Sequence, residues 1–423
     1  MPKPHVLVLG GNFAGLAAAQ KIRKYAADRV TITVVDRKPY LLYIPNIGSE
    51  VLANRDPALN MQMPIIDVLH KDDIDFVQAD VESLDVKSQT VTVLPSERSG
   101  STRTILHYDY LVIALGARLA YDKIEGFAQY GHTVSDCYYG NALRKYLHDG
   151  SYRGGPVAVG SARFIQGRKG RPTWLPDAVA ACEGPPVETA LSLAAWMTDH
   201  NFKGASNITL FTPADMIAED AGKNNVTALL DAASKMGFKY RNKLQDIRRL
   251  TADGIEFVNG ETIEAELKII FPNWEPHALL QGLPISDEIG FVLTDMQMRN
   301  PDFPNVFACG DCAAITVPKL GSIGHQECEI VGKQIAKELG AISTELADAS
   351  WLPEVLCIGD MGHQQAFYIH ANSWFGGDVE VLKMGRVPYM LKQSYKEMFF
   401  RSGGKIPAWS VPIAEWAAES IAV

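Results

Sequence analysis

The stretch His5-Val6-Leu7-Val8-Leu9-Gly10-Gly11-Asn12-Phe13-Ala14-Gly15 decides how this chain is read. Five residues dominated by apolar side chains predict a buried strand, and paired glycines end it. The Ala-rich run Leu16 to Tyr25 predicts a helix straight after the turn, and Val30 to Val35 predict a second strand closing on Asp36. Strand, glycine turn, helix, strand and acid in this order form a dinucleotide-binding unit. The glycines let the backbone approach a pyrophosphate, the helix N-terminus offers partial positive charge, and the acid accepts hydrogen bonds from ribose hydroxyls. Gly10, Gly11, Asn12, Phe13, Ala14 and Gly15 are thus the candidate cradle, and Asp36 the candidate ribose ligand. Asn12 replaces the usual second glycine; asparagine is among the side chains that tolerate positive φ.

Working outward, Tyr108 to Ala117 predicts a buried strand ending in a glycine turn that contains Ala114 and Gly116. Asn305 to Asp311 predicts another, closing on Gly310-Asp311. Between them, Gly155 to Gly160 reads as the strand and turn of a second α/β unit, but the turn continues Ser161-Ala162-Arg163-Phe164-Ile165-Gln166-Gly167 and then an insertion to Asp177. The next strand, Ile208 to Phe211, ends in Thr212-Pro213, with no acid for a ribose. The second nucleotide site therefore reads as dismantled, which argues against a nicotinamide electron donor. From Leu346 the pattern changes to short strands, Trp351 to Gly362 and Ala366 to Met384. A helix, Val387 to Phe400, and an amphipathic end carrying Trp409, Trp416 and Ile421 complete the chain.

The bulk numbers agree with a globular chain of two or three domains. It has 423 residues, 47% hydrophobic and 21% charged, with net charge −9. An acidic balance argues against nucleic acid as a partner, but does not exclude a membrane surface, which apolar burial can hold. No apolar run reaches the ~18 residues expected of a spanning helix, and the opening residues carry no apolar signal-peptide core, so no cleaved signal peptide is expected.

Six cysteines occur, Cys137, Cys182, Cys309, Cys312, Cys328 and Cys357. Their spacing leaves open buried structural thiols or catalytic ones gathered by the fold. Cys182 stands at the start of a helix running to about His200, where the helix dipole favours a thiolate. Cys309 and Cys312 flank Gly310-Asp311 at a strand end, and no second pair offers tetrahedral metal ligands. They and Cys328 read as structural, and no metal site is expected.

The strand-and-glycine signatures resemble those of flavoproteins built on two dinucleotide-binding domains, a class that includes disulfide reductases and type II NADH dehydrogenases. The resemblance implies FAD, with Asp311 on its ribityl chain. More narrowly, the chain resembles the sulfide:quinone oxidoreductases through Cys137, Cys182-Glu183-Gly184-Pro185 and Cys357-Ile358-Gly359-Asp360-Met361-Gly362, in that order. Gly160 to Gly167 and Val317-Pro318-Lys319-Leu320-Gly321 are similar to the archaeal-type branch.

This resemblance implies an α/β fold with two Rossmann-like domains and a C-terminal membrane-associating region. The FAD domain would comprise 1–120 and 270–345, the second domain with its degenerate nucleotide site 121–269, and the quinone- and membrane-binding region 346–423. It implies that Cys182 and Cys357 meet over the flavin, bridged by sulfur, and that hydrosulfide attacks the bridge by thiol exchange. Polysulfide or sulfur would leave, and Cys357 would form the transient flavin adduct. Glu188 matches an acid/base glutamate; Lys319 would face the flavin pyrimidine; Ile358 and Phe399, or Phe400, would flank a membrane quinone. Covalent attachment of FAD through Cys137 stays open, as does a homo-oligomer. His325 and His363 are weaker candidates for carrying protons. The expected location is peripheral, monotopic on the cell membrane, with hydrogen sulfide, quinone and the bilayer surface as partners. Two rivals stand beside this reading: a type II NADH:quinone dehydrogenase and the flavin subunit of a flavocytochrome c sulfide dehydrogenase.

Overall fold

A computed structural model describes residues 2–96 and 102–405. Its largest sheet has seven strands in the spatial order Val306–Ala308, Tyr110–Ile113, His5–Leu9, Thr31–Asp36, Asp75–Asp85, Thr90–Pro95 and Thr104–His107. The first five run parallel and the last two antiparallel. Val6 to Leu9 are fully buried, as expected of a central parallel strand covered on both faces. The second sheet is parallel throughout, in the order Gly131–His132, Leu267–Phe271, Val157–Ser161, Ile208–Phe211 and Lys239–Arg241.

Five helices carry or flank the site: α1 (Phe13–Ala26), α2 (Cys137–His148), α3 (Gly184–Asp199), α4 (Gly321–Glu338) and α5 (Arg386–Arg401). α1 begins three residues earlier than the Ala-rich run suggested, because Asn12 already takes the N-cap position. Asn12 has φ −83°, so its tolerance of positive φ is not what places it there. Its side-chain oxygen instead accepts the Leu42 N–H at 3.0 Å, which ties the glycine turn to the neighbouring loop.

The C-terminal region is an antiparallel sheet of Val355–Gly362, Gln365–Ala371 and Glu380–Gly385, followed by α5. The run from Ala366 to Met384 breaks into two strands because the Asn372 side chain accepts the Val379 N–H at 2.9 Å and Gly376 takes φ +91°. One continuous apolar core joins Val6, Val8 and Ile22 of the large sheet to Val157 and Leu193 of the second unit and to Val355, Phe367 and Phe399 of the tail. The tail is therefore built into the body.

α5 turns one face inward, where Phe399 is 4% exposed and Lys392 5%. Phe399 packs against Phe13 and Tyr43, each with ring centroids 5.5 Å away. The outward face instead carries Arg386, Gln393, Ser394, Glu397 and Arg401, with Met390 67% exposed. No helix among the described residues is long and apolar enough to cross a membrane. The amphipathic end with Trp409, Trp416 and Ile421 lies outside the described residues.

Candidate active site

The first glycine turn is built for close approach. Gly10 takes φ +104°, and a Cβ there would collide with the carbonyl of Ala114; a Cβ on Gly15 would collide with the carbonyl of Gly10. Asp36 ends its strand beside this turn and accepts the Gly11 N–H at 2.7 Å and the Lys38 N–H at 2.8 Å. Ala114 and Gly116 (φ +67°) lie at the end of the adjacent strand.

Gly310 (φ +71°) faces the same turn, where a Cβ would meet that of Ala14 at 2.7 Å. Its N–H donates to Glu327 at 2.7 Å, and Thr316 donates its hydroxyl to the same carboxyl at 2.7 Å. Asp311 follows, its carboxyl held above the ordinary range by burial against the pull of Lys319. Burial lowers the Lys319 ammonium to about 8; it donates to the Ala313 carbonyl at 3.0 Å and lies over the Phe291 ring. The Cβ-free cradle, the acid at the second strand and a buried carboxylate beyond fit an FAD. Among the described residues no group of three or more His, Cys, Asp or Glu is placed to hold a metal ion.

Where a second nucleotide would rest, the chain folds over its own strand end. Phe164 N–H donates to the Val179 carbonyl and Ala181 N–H to that of Ala162, both at 2.9 Å, so the insertion doubles back on the turn. It delivers Cys182. The Ser161 hydroxyl, at the end of the first strand of this unit, donates to the Cys182 carbonyl at 2.6 Å, and the Trp274 indole N–H to that of Ala181 at 2.7 Å.

Cys357 arrives from the tail strand Val355–Gly362. A Cβ on Gly184, two residues after Cys182, would lie 3.3 Å from the Cys357 sulfur, so only glycine leaves that sulfur its full space. The two thiols are near enough that a charge on Cys357 raises the affinity of Cys182 for its proton. Both are free thiols in this structure.

The expected thiolate at Cys182 is not supported. Its helix begins at Gly184, and burial, then the acids Glu183 and Asp220, push the thiol well above its ordinary range. A helix dipole is worth ~0.3–1 kcal/mol at an exposed end; burial in low dielectric outweighs it. Burial likewise pushes Cys357 up to about 12, with Glu188 adding to the rise and Lys392 opposing it.

That last pair was not foreseen. Glu188 on α3 and Lys392 on α5 form an ion pair, and the Lys392 ammonium also donates to the Ile358 carbonyl at 3.1 Å. Burial pushes the Glu188 carboxyl up, and Lys392 pulls against it. Glu183 and Asp220, also unforeseen, are 1% and 2% exposed. No local sequence signal marks Lys392, Glu183 or Asp220, since each is defined by partners far along the chain.

The remaining candidates separate. Cys137 is the first residue of α2, its thiol raised to about 11 by burial and by Asp136 and Asp56. Ile358 is half-buried in the strand after Cys357, while Phe399 sits inside the aromatic cluster that Phe400 also joins through Tyr43. Burial, then Lys21, lowers the His325 imidazolium to about 4. His363 contacts Asp199 at 3.1 Å on the surface. Cys309, Cys312 and Cys328 are fully buried.

A dinucleotide cradle and two neighbouring thiols on a two-sheet α/β scaffold define a class of flavin-dependent oxidoreductase. Residues 4–328 match the pyridine nucleotide-disulphide oxidoreductase family, and the chain belongs to it. It is an FAD-dependent oxidoreductase. Its relatives include the sulfide-quinone reductase of Aquifex aeolicus, 23% identical over 97% of this chain and 94% of that protein. The solved structure of the Aquifex aeolicus sulfide:quinone oxidoreductase superposes with a TM-score of 0.80 at 21% identity, covering 97% of this chain and 95% of that one. A type II NADH:quinone oxidoreductase of Staphylococcus aureus is 23% identical over 80% of this chain and 84% of its own length.

Proposed function

We propose that this protein oxidises hydrogen sulfide at Cys182 and Cys357 and passes the electrons through FAD to a membrane quinone. The observation that supports the reading is the Cys357 sulfur lying against Gly184, two residues after Cys182, at the contact between α3 and the tail strand. Gly10 to Gly15 and Asp36 would hold the pyrophosphate and ribose, and Asp311 the ribityl chain. Ala114, Gly116, Gly310 and Lys319 would line the same site. Bound FAD supplies a two-electron acceptor that can pass electrons on to a quinone. The segments 1–120 with 270–345, 121–269 and 346–423 are proposed as its FAD, thiol-bearing and quinone-side units.

The side chains perform the sulfur chemistry. In the oxidised enzyme a sulfur bridge joins Cys182 to Cys357, and sulfide attacks it by thiol exchange, which needs a thiolate able to leave. Lys392 opposes burial at Cys357, whereas the acids Glu183 and Asp220 surround Cys182. Charge therefore favours Cys357 as the leaving thiolate, with the new persulfide on Cys182. Glu188, paired to Lys392, is the proposed proton carrier on the Cys357 side. Ile358 and Phe399, with Phe400 beside it, form the proposed quinone wall, and the exposed Met384 and Met390 lie on the face proposed to meet the bilayer. Attachment of FAD to Cys137 belongs to the same proposal.

An NADH donor is disfavoured by the insertion folded over the second strand end and by Thr212-Pro213 in place of an acid. The test is anaerobic mixing of the purified flavoprotein with sulfide and, separately, NADH while flavin absorbance is followed. Sulfide bleaches it, and C357S abolishes the bleaching; bleaching by NADH alone rejects the proposal.

A further inference from the structure

The strand that carries Cys357 stands at the rim of its sheet. Val355–Gly362 pairs on one side only, with Gln365–Ala371, so the backbone groups on its other side need partners from elsewhere. Side chains supply them, at alternate residues, as the two-residue period of a strand requires. The Glu354 N–H and carbonyl are taken by Gln326, the Leu356 N–H by Ser322 and the Ile358 carbonyl by Lys392. Cys357 lies between the second and third of these points.

Gln326 spends its whole carboxamide here. Its oxygen accepts the Glu354 N–H and the Trp351 indole N–H, each at 3.1 Å. Its nitrogen donates to the Glu354 carbonyl at 2.9 Å and to the Ser322 carbonyl, one turn back, at 3.2 Å. Two of these partners only donate and two only accept, which fixes the way the amide faces. The two bonds with Glu354 repeat what a neighbouring strand would offer. Ser322, four residues earlier on the same face of α4, accepts the Leu356 N–H at 3.3 Å. Four helical residues rise about 6 Å and two strand residues about 6.6 Å, so one helix face serves both points.

The same helix is fitted to the glycine turn at Gly310. Glu327, next to Gln326, accepts the Gly310 N–H at 2.7 Å, and a Cβ on Gly324 would lie 3.2 Å from the Gly310 Cα. α4 therefore holds the turn proposed to bind FAD with one residue and the thiol strand with its neighbour. We propose that Gln326 and Ser322 are positioning residues that set the Cys357 sulfur against the flavin for the transfer of electrons from sulfur. The inference rests on the sulfide-oxidising reading and adds to it the groups that place the reacting thiol.

Both side chains act through the strand's backbone. Placement matters because a reacting atom displaced by about 1 Å can cost about 100-fold in rate. Loss of the Gln326 amide frees Glu354, three residues before Cys357, while Glu327 keeps its hold on Gly310. The cofactor turn stays and the thiol shifts, so the defect falls on electron entry from sulfide and not on FAD retention. Gln334 offers a control on the same helix. Its buried amide donates to the Ala347 carbonyl at 3.1 Å and to Asp348 at 2.8 Å, both ahead of the tail strand.

The test uses the FAD-loaded protein under anaerobic stopped flow. Q326L is expected to slow flavin bleaching by sodium sulfide about 100-fold, with FAD content and bleaching by dithionite as in the wild type. With the sulfur bridge reduced and the pH alkaline, the long-wavelength absorbance of a Cys357 thiolate against oxidised flavin should be weaker in Q326L; equal strength in both proteins overturns the inference. S322A should also slow sulfide bleaching, and S322T, which keeps the hydroxyl, should recover most of the loss. Q334L should lower Tm without slowing sulfide bleaching. If sulfide bleaches Q326L as fast as the wild type, or slows as much in Q334L, this inference falls and the sulfide reading stands. If sulfide fails to bleach the wild type, both fall. Should Q326L not retain FAD, equal rates in S322A and S322T overturn the inference.

Discussion

Lys392, buried, and Glu188, part-buried, form an ion pair that couples α5 to α3, and the same ammonium holds the carbonyl of Ile358, the residue after Cys357. The pair is 204 residues apart in sequence. It does two things at once: it fixes α5 to α3, and it puts a cation near Cys357, the thiol proposed to leave as thiolate.

Removing one partner exposes both roles. K392M leaves Glu188 buried without its counter-ion, a loss of about 3–5 kcal/mol for a buried pair broken from one side. Thermal denaturation of K392M should show a clear drop in Tm, and E188Q/K392M should recover part of it. Cys357 should also alkylate more slowly in reduced K392M than in reduced wild type at the same pH, as followed by peptide mass spectrometry. An unchanged alkylation rate would show that Lys392 does not act on this thiol.

Glu327 provides a pH prediction. Burial, against the Thr316 hydroxyl, the Gly310 N–H and Lys319, lifts its carboxyl to about 7, above the ~4.3 of an unfolded glutamate. The native state then binds more protons than the unfolded one between about 4 and about 7, so the stabilisation is complete at the acidic end and is lost as pH rises through that window. E327Q should flatten this part of the Tm–pH curve relative to wild type. A curve parallel to the wild type's from pH 5 to pH 7 would contradict the assignment.

Phe399 and Ile358 should respond differently, although both belong to the proposed quinone wall. Phe399 is core, stacked among Phe13, Tyr43 and Tyr395, so F399A should cost about 3–5 kcal/mol and lower Tm as well as quinone turnover. Ile358 is only half-buried, so I358A should raise the KM for quinone with a much smaller change in Tm. Steady-state kinetics at saturating sulfide and calorimetry on both variants check this.

The fold was legible because its signals are local. Val6 to Leu9, Gly10, Gly15 and Asp36 stand in a fixed order within thirty-odd residues, and the steric reason for Gly15 is the Gly10 carbonyl that the turn itself brings close. The site was legible only as far as motif resemblance reached: it pointed to Cys182, Cys357 and Glu188 but could not say what surrounds them. The burial of Lys392 is not written near it in sequence, because the inward turn of α5 depends on Phe399 finding Phe13 and Tyr43. Nothing near Asp220 and Glu183 in sequence reports their burial. The thiolate expected at Cys182 failed on magnitude: one helix terminus is weaker than desolvation joined by two acids.

The measurement that bears most directly on the whole account is peptide mapping of the oxidised, sulfide-treated flavoprotein without reductant. The account predicts a peptide containing Cys182 cross-linked to one containing Cys357 through one or more added sulfur atoms, and its disappearance on reduction. Recovery of both cysteines as separate, unmodified thiols from active enzyme would contradict it.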